Sequence, residues 1–239
     1  IAISILLLLV ACSQNTITGR VTNKLDTTFD FISNPLIIGG LPAVPVEQGG
    51  KAFIIHDGKE LGKDLDLDFI TELIDFNGVP AFIGNQRDPQ KSIVILGDEI
   101  VHQSALINNL TKVQDKLAFA DITEQNGRSS KDKVIFGSFD AGTFTPQEFT
   151  NFVFAQNLIE AGGNLAFDAY NFVNPLKTGR WDPRKYFVVF DGLEVGKEFK
   201  HARFASSVNG KLTFVAFESG DASDGCTGNS FIIHDGQRF

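Results

Sequence analysis

One short stretch constrains this chain more than any other because it returns. "FIIHDG" occupies Phe53–Gly58 and again Phe231–Gly236, and "FVVFDG" lies between them at Phe187–Gly192. Each copy is an apolar run that ends in Asp-Gly. Asp bonds its own downstream backbone, and Gly takes the φ that other residues avoid, so the pair marks a strand exit. The middle copy carries Phe190 where the others carry His56 and His234. What recurs is a piece of architecture rather than a His-Asp chemistry.

A longer alignment extends the repetition. "QRDPQKSIVILGDEI" (Gln86–Ile100) matches "GRWDPRKYFVVFDGLEV" (Gly179–Val195) around a shared Asp-Pro-x-Lys and an apolar strand. Upstream of each lies another strand and then a stretch with helical spacing. In the second unit, Thr145-Pro146-Gln147-Glu148 has the form of a capping box. Phe149, Phe152, Val153 and Ile159 follow, and Gly162-Gly163 would terminate the helix. A shorter helix is predicted from Asp66 or Asp68 to Gly78, with Ile70, Leu73 and Ile74 facing the core, and a third from about Glu99 to Leu110. Several strands are continuously apolar, as in sheets buried on both faces. The expected fold is therefore α/β, or α+β, with a mixed, largely parallel sheet built from a duplicated strand-helix-strand-strand unit. The units fall at 51–125 and 126–239. A C-terminal β-hairpin turns at Asn209-Gly210, the pair a type I′ turn prefers.

The chain opens "IAISILLLLVAC" and contains no Met, which reads as an incomplete frame. Its uncharged run, ending Leu9-Val10-Ala11-Cys12, resembles a lipoprotein lipobox. That resemblance implies a signal peptide over 1–11, lipidation at Cys12, and export to the cell surface or periplasm on a membrane anchor. Residues 12–50, rich in Thr, Asn, Gly and Pro, read as a tether and looped lead-in. Net charge is −8 with no basic run, which disfavours nucleic acid as a partner. With Cys12 lipidated, Cys226 stands alone and a disulfide framework is excluded.

The chain carries no nucleotide-binding glycine motif, nucleophile elbow, zinc-protease motif or C-x-x-C. No catalytic residue is assigned. The acids at strand exits, Asp57, Asp98, Asp140 and Asp191, with His56 beside the first, are candidate ligands for Ca²⁺ or Mg²⁺ if their strands lie parallel and adjacent. The competing reading gives each Asp only its own turn, with no cofactor. "DLDLD" (Asp64, Asp66, Asp68) reads as charge at a helix N-terminus, and Asn109-Leu110-Thr111 fits the N-glycosylation pattern.

The lipobox, "ITGRV" and the unit ending "SIVILGD" resemble archaeal S-layer-associated or cell-wall-binding surface proteins, over Lys51–Asn109. The resemblance implies a structural or envelope-binding role without catalysis, with an envelope polymer or surface-layer protein as partner. A metal-dependent hydrolase outside the cytoplasm and a ligand-binding lipoprotein are the alternatives.

Overall fold

The computed structural model describes residues 28–122, 132–140, 142–150, 152–172, 184–218 and 229–239. Strands dominate them, and the helical content is one 3-10 turn at Lys63–Leu65. The strands form five consecutive antiparallel sheets. The first contains β1 (Phe31–Ile32), β2 (Leu36–Ile38), β3 (Leu41–Gln48), β4 (Lys51–His56) and β5 (Lys59–Leu61). The second contains β6 (Phe69–Phe76), β7 (Val79–Arg87), β8 (Gln90–Leu96) and β9 (Glu99–Ser104). The third contains β10 (Leu106–Val113), β11 (Lys116–Ile122), β12 (Asp132–Asp140) and β13 (Thr143–Phe149). The fourth contains β14 (Phe154–Ala161), β15 (Asn164–Phe172), β16 (Arg184–Phe190) and β17 (Leu193–Val195). The fifth contains β18 (His201–Val208), β19 (Lys211–Phe217), β20 (Ser230–His234) and β21 (Gln237–Arg238).

Each of the last four sheets is a four-stranded meander in chain order. Successive sheets pack face to face, with β2, β6, β10, β14 and β18 side by side. Blades of a β-propeller also stack through their first strands in this way. One apolar core lies in each of the four gaps between sheets. The core repeats as the chain does. Phe82, Phe119, Phe167 and Phe214, each the fourth residue after a first hairpin turn, all face back towards the preceding sheet.

The α/β expectation is thus corrected to an all-β fold, and the parallel sheet to antiparallel meanders. The Thr145–Ile159 stretch holds β13 and β14, and Pro146 sits on the outermost strand of its sheet, where a missing N–H costs no ladder bond. Gly162-Gly163 is a two-residue hairpin turn, with φ of 59° and 81°. The stretch from Asp66 to Gly78 contains β6 and the turn at Asn77-Gly78, and Glu99–Leu110 holds β9 and the first part of β10.

The false helical spacing has one cause. Each of β6, β10, β14 and β18 carries a β-bulge, between Ile70/Glu72, Asn108/Thr111, Gln156/Ile159 and Arg203/Ser206. Extra residues shift the strand's alternation between faces. Buried positions then fall at Ile107, Leu110 and Val113, or Ala155, Leu158 and Ala161, a period of three in a strand.

The hairpin expectations hold. Asn209-Gly210 joins β18 to β19 with φ of 52° and 73°, the two positive values a type I′ turn requires. Asp57-Gly58, Asp191-Gly192 and Asp235-Gly236 have the same signature. Every aligned strand exit is the end of a third strand in its sheet: β4, β8, β12, β16 and β20. The Asp-Pro alignment therefore matched equivalent strands, β8 and β16, though the repeat is one sheet rather than half the chain. Asp182-Pro183 itself lies outside the described residues. Glycine is required at two tips by close approach. A Cβ on Gly39 would meet Gly78 O at 2.9 Å, and one on Gly162 would meet Gly210 O at 2.7 Å, so the first hairpins of neighbouring sheets touch through bare backbone.

Candidate binding groove

The sequence-predicted metal ligands are dispersed. Asp57, Asp98, Asp140 and Asp191 sit at the third-to-fourth strand connections of four different sheets. They are not parallel neighbours. Asp57 and Asp191 occupy the left-handed first position of their own turns, at φ 49° and 51°. His56 Nδ1 lies 3.3 Å from the Pro42 carbonyl on the adjacent strand. Among the described residues no three His, Cys, Asp or Glu side chains converge to hold a metal. Cys12 and Cys226 lie outside the described residues. Of the "DLDLD" acids, Asp66 pairs with Lys51 at 2.5 Å and Asp68 accepts the Arg87 N–H at 2.6 Å. No helix follows them.

What the structure does bring together is a set of polar bridges between sheets, and they begin at the bulges. A bulge turns consecutive N–H groups to one side, leaving a concave pair of donors. Glu72 on β6 fills the next sheet's pair, its two oxygens accepting the Asn109 and Leu110 N–H groups at 2.8 and 2.6 Å. Asn109, with φ at 57°, passes the pattern on through Oδ1, which accepts the Asn157 N–H at 3.3 Å. That side chain also donates to Asn108, so it is built into the inter-sheet contact. Asp168 on β15 accepts the Phe204 and Ala205 N–H groups of the fifth sheet at 3.1 and 2.9 Å. Burial raises the Asp168 pKa, against the pull of its Ala205, Asn157 and Phe204 donors and the Arg203 charge.

A second buried polar set joins sheets two, three and four. His102 Nε2 lies 2.9 Å from Asp121 Oδ2. Burial pushes the Asp121 carboxyl up, but His102 and Ser104 outweigh it and the net shift is downward. Asp132 is 1% exposed. Its Oδ2 accepts the Ala155 N–H at 3.0 Å, and its Oδ1 is buried without a partner. Burial, with Asp121 adding repulsion, raises its pKa to about 6. These acids are structural, each already holding backbone or a neighbouring ring.

The open polar surface lies elsewhere. A groove of about 500 Å³ runs between the second and third sheets, at the end opposite the first hairpins. That is within the size range of small-ligand sites. Its floor is closed: Ser92 Oγ donates to Asn85 Oδ1 at 2.7 Å, and Asn85 Nδ2 donates to Thr71 Oγ1 at 3.2 Å. Gln86 Nε2 donates to the Leu65 carbonyl at 2.7 Å, which fixes that side chain and leaves its Oε1 as an acceptor. Gln90 and Asn108 add further amides to the wall. On the rim, the Arg87 guanidinium lies 5.4 Å from the centre of the exposed Phe69 ring. Neither Arg87 nor Lys91 has an ion-pair partner among the described residues.

A depression of similar volume beside Glu194–Phe199 differs in that respect. There Lys197 pairs with Glu194 at 3.4 Å and Arg238 with Glu218 at 2.7 Å. Among the described residues, the first groove sets Arg87 and Lys91, without ion pairs, beside amides and a ring, with Glu72 also in its lining.

The comparisons leave the groove to be read on its own geometry: no family model, no curated protein and no solved structure matches the chain.

Sequence reasoning missed this site while standing beside it. Gln86–Lys91 brackets the Asp-Pro pair that served only as an alignment anchor. The better signal was the first hairpin and its second strand. "GGLPAV" (39–44), "NGVPAF" (77–82), "QDKLAF" (114–119), "GGNLAF" (162–167) and "NGKLTF" (209–214) mark all five sheets, and with them every gap between sheets.

Proposed function

We propose that this chain is a membrane-tethered surface protein with an envelope-binding role, and that it holds a glycan segment of the envelope in the groove between its second and third sheets. The observation that carries the reading is the chemistry of that groove. Gln90 supplies an amide that can both donate to and accept from ring hydroxyls, Gln86 Oε1 an acceptor and Asn108 Nδ2 a donor, and Phe69 supplies an apolar face at the rim. Arg87 and Lys91, which have no ion-pair partner among the described residues, favour a sugar that carries an acid group. Tethering rests on the lipobox resemblance at Leu9–Cys12. No catalytic role is assigned to any residue in the groove.

Calorimetric titration of the intact chain with oligogalacturonate tests the binding, with a neutral maltodextrin as comparison. Saturable heat with the acidic glycan, weakened about tenfold or more in Arg87→Ala/Lys91→Ala, is expected. No heat with either glycan would sink the reading. Tethering is tested by labelling with a palmitate analogue, where Cys12→Ala should abolish incorporation.

A further inference from the structure

Two of the five first hairpins turn on the same pair, Asn77-Gly78 and Asn209-Gly210. Their backbones match, with φ of 55° and 83° in one and 52° and 73° in the other. Both asparagines are exposed. Asn-Gly is also the pair in which an asparagine side chain is most open to attack by its own backbone. Glycine puts no Cβ between the next N–H and the side-chain carbonyl. What differs between the two turns is how that N–H is held.

At the tip of the second sheet the nucleophile is tied down. The Gly78 N–H donates to Asp75 Oδ1 at 2.6 Å, and the Gly39 N–H of the neighbouring tip donates to Asp75 Oδ2 at 3.4 Å. A carboxylate in that place occupies the Gly78 N–H and also opposes its loss of a proton. At the tip of the fifth sheet Ser207 stands where Asp75 stands: Asp75 lies opposite Pro80, and Ser207 opposite Leu212, in hairpins of the same loop length. The Gly210 N–H has no hydrogen-bond acceptor among the described residues. Nothing lies within 4 Å of the place a Gly210 Cβ would take.

We infer that Asn209 is a site of spontaneous deamidation, and that Asn77, with the same dipeptide in the same turn, is protected by Asp75. The Gly210 nitrogen bonds to Asn209 Cγ and gives up its proton. The Cγ–Nδ2 bond breaks, and Nδ2 leaves with that proton as ammonia. Water then opens the cyclic imide at either carbonyl, giving aspartate or an isoaspartyl link that runs the backbone through Cβ. Either product places a new carboxylate at a tip whose Gly210 carbonyl packs against Gly162. Both asparagines start from the left-handed region, so any rearrangement on the way to attack is common to both. The Asp75 bond is not. Breaking a hydrogen bond to a charged acceptor first slows Asn77 by about tenfold or more. A further Asn-Gly pair, Asn126-Gly127, lies outside the described residues.

Peptide mapping by mass spectrometry tests this on the intact chain, incubated at mildly alkaline pH below its melting temperature. The peptide holding Asn209 should gain the mass of deamidation about tenfold or more faster than the peptide holding Asn77. In the urea-unfolded chain the two should react at closely similar rates, because the tie to Asp75 is gone. Asp75→Ala should raise the Asn77 rate about tenfold and leave Asn209 unchanged, and Ser207→Asp should slow Asn209 by a similar factor. Far-UV circular dichroism shows whether each variant is folded, and Ser207→Asp decides the matter if Asp75→Ala is not. Equal rates at the two sites in the folded chain, a difference that persists in urea, or an Asn209 rate indifferent to Ser207→Asp would each overturn the inference. So would a folded Asp75→Ala chain in which Asn77 stays slow.

Discussion

Glu72 and Asp168 perform the same task from different strands. Glu72 lies on the first strand of the second sheet, Asp168 on the second strand of the fourth, and each carboxylate accepts two consecutive N–H groups from the following sheet's bulge. The difference shows which element is required. The bulge, with its left-handed residue and its convergent donors, recurs in the same place, while the acceptor comes from wherever an acidic side chain can reach it. Between them, among the described residues, the third sheet meets the fourth's bulge with the Asn109 amide oxygen alone, which accepts a single N–H. Asp132 is a fourth variant, one buried carboxylate for one N–H, and its raised pKa reports the imbalance.

The comparison can be broken most sharply at Asp168, which is 3% exposed. Asp168→Ala leaves the Phe204 and Ala205 donors without an acceptor, the second of them buried. It should cost about 3–4 kcal/mol. Hydrogen exchange should localise the loss to the fifth sheet. Glu72→Ala, where the site is only part-buried, should cost about 1–3 kcal/mol by urea denaturation, because water can replace the carboxylate. An equal loss at both sites would mean that burial does not set the strength of these clamps.

Asp132→Asn should act in the opposite direction. A carboxyl whose folded pKa lies near 6 binds its proton more tightly in the native state than in the unfolded one. Its contribution to stability is therefore greatest below about pH 4, falls as pH rises through 6, and is flat beyond. Removing the charge should raise stability by about 1–2 kcal/mol at pH 7.5, less than the whole rise in its pKa implies because the amide brings its own buried donors. Melting curves at pH 4 and 7.5 should show the gain only at the higher pH. Asn109→Ala should have the smallest effect, about 0.5–1 kcal/mol, since one neutral acceptor is removed at an exposed bond.

How much of this was legible depended on the range of the cause. Turns are local, so Asn209-Gly210 and the Asp-Gly exits could be read from two residues and their φ requirements. The equivalence of β8 and β16 was legible because an apolar third strand leaves a run of four or five side chains. The first strands were not legible, because a bulge makes Ile107, Leu110 and Val113 look like one face of a helix. Nothing within β10 shows that its extra residues are held by Glu72 on another sheet. The groove was hidden for the same reason. Arg87 and Asn108 share a wall only because the sheets stack, and two units in place of five put that stacking out of view.

The short connections between neighbouring strands also shape how such a chain folds as it leaves the ribosome. Each meander can pair its strands soon after it emerges, without waiting for distant sequence, since loop closure within a sheet spans about a dozen residues at most. A newly formed sheet buries Phe82, Phe119, Phe167 or Phe214 backwards against the one already made. Its forward face, carrying Val94, Val134 or Val188, stays wet until the following meander is translated. Synthesis therefore proceeds with one greasy surface always at the growing end, and the vulnerability of the nascent chain moves along it one sheet at a time.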